Sequence, residues 1–184
     1  MDSLVFVSSN KNKFQEIQGK LLDCGITLEF QNMNIKEIQS NSLKEIAVEK
    51  SRVAYSEISH PVIVEDDGLF IDHLMGFPGQ YSSYVHKTIG SMGILKLLRN
   101  IAVRSASFIS AFVFYEGCYP RCFLGRTYGR ISKKFTEGGW GFDGIFIPTG
   151  SDLTFAQLER QKRKDFFSHR SKALDKFIKW YLRN

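Results

Sequence analysis

The chain has 184 residues and 43% hydrophobic content, enough for one compact domain with a proper core, and its 16 Phe and 7 Tyr supply aromatic surface for that core or for flat ligands. No apolar run approaches the ~20 residues needed to cross a bilayer, and "MDSLVFVSSNKNK" places an acid at position 2 and lysines after a short apolar run, so the expectation is no secretory signal, no membrane and a cytoplasmic protein. The formal net charge of +6 resides in the tail, because Glu159 to Asn184 carries nine Lys/Arg against three Asp/Glu while the remainder is balanced; such a segment suits a polyanion, a nucleic-acid patch or a solvated helix face.

In chain order, "LVFVS" (Leu4–Ser8) reads as a buried strand and Lys11–Leu22 as a helix with Phe14, Ile17, Leu21 and Leu22 on one face. "ITLEFQNM" alternates as a strand. "SLKE" (Ser42–Glu45) is a capping box opening a helix that carries Leu43, Ile46, Ala47, Lys50, Val53 and Ala54 at helical spacing. "PVIV" is a third strand, ending where Glu65, Asp66 and Asp67 stand side by side before Gly68. This predicts an α/β layer with the acids at a strand's C-terminal end, the edge where open α/β sheets bind ligands. Beyond Gly93, "SASFISAFVFYEG" and "PRCFLGRTYGRIS" predict an antiparallel hairpin around "CYPRC", and the chain ends in a helix with Leu174, Phe177, Ile178, Tyr181 and Leu182 inward. The three cysteines, Cys24, Cys118 and Cys122, lack zinc-site spacing and read as buried or turn residues of a reducing compartment. The predicted fold is α/β: one domain over residues 1–184, with a mixed sheet, flanking helices and two lobes around a central nucleotide-binding cleft.

Four stretches carry the residue types that chemistry needs. Three adjacent carboxylates repel one another and need a cation, a proton or water to persist. "SSNKNK" (Ser8, Ser9, Asn10, Lys11, Asn12, Lys13) brings hydroxyls, amides, ammonium groups and free helix N–H groups to one turn, which suits phosphate or merely an N-capped loop. "GGWGFDG" sets Trp140 and Phe142 among glycines, for stacking on a base or for core packing, with Asp143 to cap a turn or accept from ligand hydroxyls. In "KDFFSHRSKAL", Ser168 is a candidate N-cap that puts His169 and Arg170 in a helix's first turn, against the dipole; this hints at an anionic or electron-rich partner.

Together, "SSNKNKFQEI", "VEDDGLFIDHLMGFPGQYS", "GWGFDGIFIP", "TFAQL" and "SHRSKAL" resemble, in order and over nearly the whole chain, the signature segments of the inosine triphosphate pyrophosphatase family, and "IGSMGILKLL" looks like its archaeal branch. The resemblance implies an elongated α/β homodimer that hydrolyses deaminated purine nucleoside triphosphates (ITP, dITP, XTP) to monophosphate and pyrophosphate with Mg2+. It implies that Ser8 to Lys13 hold phosphates and that Glu37 and Asp66 bind Mg2+, with Asp66 also the proton acceptor. It implies further that Trp140, Gly141, Phe142 and Asp143 meet base and sugar, and that Lys164, His169 and Arg170 read the purine. Glu65 is expected behind the metal. Two positions depart from the family pattern. Asp67 stands where Ser or Thr is common, and a carboxylate cannot donate a hydrogen bond there unless protonated, which would weaken substrate binding or demand more Mg2+. Gln157 replaces the usual Glu of "TFAE", a change expected to be local. The competing readings are a pyrophosphatase for other modified nucleotides and a nucleic-acid-binding module built on the basic terminal helix; no stable nucleic-acid partner is expected.

Overall fold

The computed structural model describes residues 4–183. Its elements are β1 (Leu4–Val7), α1 (Lys11–Asp23), β2 (Leu28–Gln31), α2 (Leu43–Ile58), β3 (Val62–Ile71), β4 (Pro78–Gly79), α3 (Ser82–Thr88), α4 (Gly90–Leu97), β5 (Ser105–Tyr115), β6 (Arg121–Ile131), β7 (Phe146–Pro148), α5 (Phe155–Arg160) and α6 (His169–Tyr181). Short 3-10 turns cover Asp72–Leu74 and Lys164–Phe166. The strands form one seven-stranded sheet in the order β2-β1-β3-β5-β6-β7, with β4 on β3. β1 is parallel to both β2 and β3, while the β3–β4 and β6–β7 pairs are antiparallel, so the sheet is mixed as expected.

The chain divides into two compact units. The first comprises residues 1–66, 110–125 and 172–184; the second comprises 67–109 and 126–171. In the first, Phe6, Ile17, Leu21, Ile63, Phe112, Leu174 and Phe177 are fully buried in one apolar core. α1 contributes Ile17 and Leu21, but Leu22 is 64% exposed, because it lies 100° around the helix from Leu21. On α6, likewise, Leu174 and Phe177 are buried while Leu182 lies beyond the helix end and is exposed. Those two inward assignments are corrected. α2 is capped as its sequence predicts, though the box closes through an extra hydroxyl. Ser42 Oγ accepts from Glu45 N–H at 3.3 Å, and Glu45 takes the hydroxyl of Ser40, whose oxygen in turn accepts from Ser42 N–H.

The second unit has its own core, with Leu69, Ile71, Ile94, Phe146 and Phe155 fully buried. Arg104 braces it by donating to the carbonyls of Leu98, Ile131 and Ser132, and burial lowers the pKa of this guanidinium.

The third strand differs most from the sequence expectation. β3 does not stop before the acids but continues through Glu65, Asp66, Asp67 and Gly68 to Ile71. The acids therefore lie within an extended strand, where successive side chains point to opposite faces. Gly68 is no turn glycine. A Cβ there would stand 2.4 Å from the Gly79 carbonyl oxygen, so this glycine lets β4 approach. The approach is fixed by Ser82, whose hydroxyl donates to the Gly79 carbonyl at 2.7 Å and accepts from Leu69 N–H at 2.8 Å. Gly68→Ala is expected to destabilise the protein by about 1–3 kcal/mol through this overlap, measured as a lowered Tm; an unchanged Tm would show that β4 yields freely.

Candidate active site

In the first unit, β1 leads through Ser8 and Ser9 into Asn10, the N-cap of α1. Its side chain accepts from Asn12 N–H at 3.0 Å, and its own N–H donates to Ser8 Oγ at 3.1 Å. The predicted polar turn is thus an ordered cap, with Lys11, Asn12 and Lys13 in the first helical turn. Lys13 Nζ lies 3.3 Å from Glu65 Oε2, and Glu65 also accepts from the buried hydroxyl of Ser110 at 2.6 Å. Asp66, 7% exposed, lies 3.9 Å from the ammonium of Lys50, which also bonds Glu37 at 2.7 Å. Glu37 and Asp66 therefore both border one cationic position.

Both side chains offer carboxylate oxygens, the donor type that suits a hard cation such as Mg2+, and the Lys50 ammonium stands between them.

In the second unit, Asp67 is paired. Its Oδ2 lies 3.3 Å from Arg170 Nη2 and 3.7 Å from His169 Nε2. Ser168 caps α6 by accepting from the N–H groups of Arg170 (3.2 Å) and Ser171 (3.3 Å), which sets His169 and Arg170 in the first turn as predicted. The His169 ring stacks on Phe108 with centroids 4.7 Å apart and 12° between planes. The anion that the cations against the dipole pointed to includes this carboxylate of the same chain.

The glycine-rich loop divides its aromatics. Phe142 is buried in the core, edge-on to His86 at 5.2 Å, so its ring packs rather than stacks on a base. Trp140 is partly exposed, and its ring meets the Arg170 guanidinium at 5.1 Å and the Lys164 ammonium at 5.5 Å. Asp143 fills the turn-capping role, accepting from Trp140 N–H at 3.2 Å, and forms a buried ion pair with Lys164 at 2.7 Å. Gly141 has φ of +61°, the left-handed turn that this loop requires. Gln157 closes a complete capping box with Thr154, its amide oxygen accepting from Thr154 N–H at 2.8 Å, so the neutral residue does the local work of the Glu it replaces.

Each of the three adjacent acids thus has its own cation: Lys13 for Glu65, Lys50 for Asp66, and Arg170 for Asp67. Sequence reasoning missed Lys50, Ser110 and Phe108. Lys50 carried a signal, as the one charge on the apolar face of α2. Ser110 interrupts the apolar run of β5, and Phe108 carried none.

Comparison with known proteins identifies the family. The model of the Ham1 family matches residues 4–180. A dITP/XTP pyrophosphatase of Methanopyrus kandleri is 45% identical over 183 residues, covering 98% of this chain and 97% of that protein. The Thermococcus kodakarensis protein of the same description is 39% identical over 182 residues, with 98% of each chain covered. The solved structure of a HAM1 protein from Coxiella burnetii superposes with a TM-score of 0.87 at 28% identity, covering 100% of both chains, and that of the Staphylococcus aureus Ham1 protein with 0.80 at 25% identity, covering 97% of this chain and 98% of that one. The chain is a member of the Ham1 family.

Proposed function

We propose that this chain hydrolyses deaminated purine nucleoside triphosphates (ITP, dITP and XTP) to the monophosphate and pyrophosphate, and so clears them from the nucleotide pool. The relatives described as dITP/XTP pyrophosphatases support this reading along almost the full chain. The observation that carries it is Asp66: a buried carboxylate inside an apolar strand, beside Lys50 and Glu37 and next in sequence to the Lys13-bound Glu65.

In this reaction a water oxygen bonds to the α-phosphorus, the α–β bridging bond breaks, and pyrophosphate leaves with the electron pair. Asp66 orients the water and takes its proton. Lys11, Lys13 and the N–H groups opening α1 offset the charge that builds on the leaving group. Glu37 and Asp66 would hold Mg2+, which would supply positive charge to the phosphate oxygens. Glu65, bonded to Lys13 and Ser110, fixes the Lys13 ammonium. Arg170 offers only donors, which suit the 6-oxo group of hypoxanthine or xanthine and leave the 6-amino group of adenine facing an unmatched donor. Trp140 is the aromatic of its loop exposed enough to meet a base, and Lys164 is held against it by Asp143.

The enzyme works in the cytoplasm as a homodimer on this reading. A solution mass twice the 21.1 kDa of one chain tests the dimer. Among the described residues no helix is long and apolar enough to cross a membrane.

A panel of ITP, dITP, XTP, GTP and ATP, assayed for pyrophosphate and orthophosphate with Mg2+ and with EDTA, tests the function. Pyrophosphate from the deaminated nucleotides, lost in EDTA, is expected. Orthophosphate, or turnover that does not need the ion, contradicts it.

A further inference from the structure

We propose that Asp67 determines specificity: it holds His169 and Arg170 in position and, through its charge, favours neutral hypoxanthine over anionic xanthine. This rests on the function proposed above. Arg170 is one of the largest fully buried side chains, and a guanidinium on four rotatable bonds reads a base only if something fixes it. The Trp140 ring at 5.1 Å and the Asp67 carboxylate at 3.3 Å both do so. His169 is fixed similarly, its plane by Phe108 at 4.7 Å and its Nε2 by Asp67 at 3.7 Å. Asp67 is therefore a positioning residue for both, and a Ser or Thr hydroxyl at this position would offer them no charge.

The charge has a second consequence. In its nucleosides xanthine is much more acidic than hypoxanthine and is largely a monoanion at neutral pH, whereas hypoxanthine is neutral. A carboxylate in contact with both base-reading residues lowers the net positive charge around the base by one. It repels an ionised xanthine and leaves the neutral ring unaffected. The chain is thus set for inosine nucleotides ahead of xanthosine nucleotides, a ranking that the 6-oxo group common to both cannot supply.

The test is Asp67→Asn, close to isosteric and uncharged, in the full chain with saturating Mg2+, measuring kcat and KM for ITP, XTP and ATP by pyrophosphate release. The ratio of kcat/KM for XTP to that for ITP is expected to rise about three- to tenfold, mostly through KM, with the ITP preference over ATP reduced as Arg170 loses its anchor. A merely structural role would lower all three substrates together and leave both ratios unmoved, which would overturn the proposal. If Asp67→Asn does not fold, Asp67→Ser is read in the same way. Wild-type protein that releases no pyrophosphate from either nucleotide removes the underlying reading and the proposal with it; wild-type turnover with unmoved ratios removes the role of Asp67 alone.

Discussion

Asp66→Asn is expected to reduce turnover of ITP by about 10^2 to 10^4, the usual range for losing a general base, while the protein remains folded. Asn keeps the shape and one acceptor oxygen but cannot take the proton of the attacking water. Lys50, 3.9 Å from this carboxylate, keeps Glu37 at 2.7 Å as a closer partner in the variant. Circular dichroism and Tm establish the fold, and steady-state pyrophosphate release gives the rate. Near-normal turnover in a folded variant would remove Asp66 from the reaction. Replacing Glu65 has a different signature: it is tied to Lys13 and Ser110, so Glu65→Gln should act on binding of the triphosphate, with the larger change in KM.

Arg170→Ala is expected to cut kcat/KM for ITP by about ten- to hundredfold, the size of one or two lost buried hydrogen bonds. The loss on ATP should be smaller, since that base never made the bond, so discrimination shrinks. Removing Arg170 also takes from Asp67 the guanidinium 3.3 Å away, and breaking a buried pair costs about 3–5 kcal/mol, so the melting temperature must be followed in parallel. The same experiment separates the pocket from the nucleic-acid reading of the basic tail. His169 and Arg170 are buried, whereas Lys172, Lys176 and Lys179 are exposed on α6, with Lys176 reaching the Leu124 carbonyl at 2.6 Å. Charge reversal at Lys176 and Lys179 should therefore barely alter ITP hydrolysis. A nucleic-acid module would invert this pattern, and its binding to a random oligonucleotide would fall steeply with salt. Equal losses on ITP and ATP for Arg170→Ala would make Arg170 a phosphate-binding or structural residue.

The local rules made much of this legible. Asn10, Ser42 and Ser168 are N-caps whose acceptors bond the backbone groups their sequence positions call for. The parallel β2-β1-β3 order also follows from alternating strands and helices. What escaped the sequence depends on partners far along the chain. Nothing near Asp67 announces Arg170, 103 positions on by its number, and nothing near Gly68 announces that the backbone of β4 will close on it. The acids read as the end of a strand because three charges followed by glycine match loop composition. They form a strand because separate cations neutralise them on alternating faces, a tertiary effect that overrides local preference. Phe142 and Trp140, two residues apart on one glycine-rich loop, were indistinguishable until burial assigned one to the core.

The most direct test of the reaction itself is hydrolysis of ITP in water enriched in oxygen-18, with mass spectrometry of both products. Attack of the Asp66-activated water at the α-phosphorus puts one labelled oxygen into the inosine monophosphate and none into the pyrophosphate. Label in the pyrophosphate, or labelled orthophosphate, would place the attack at another phosphorus and contradict the mechanism.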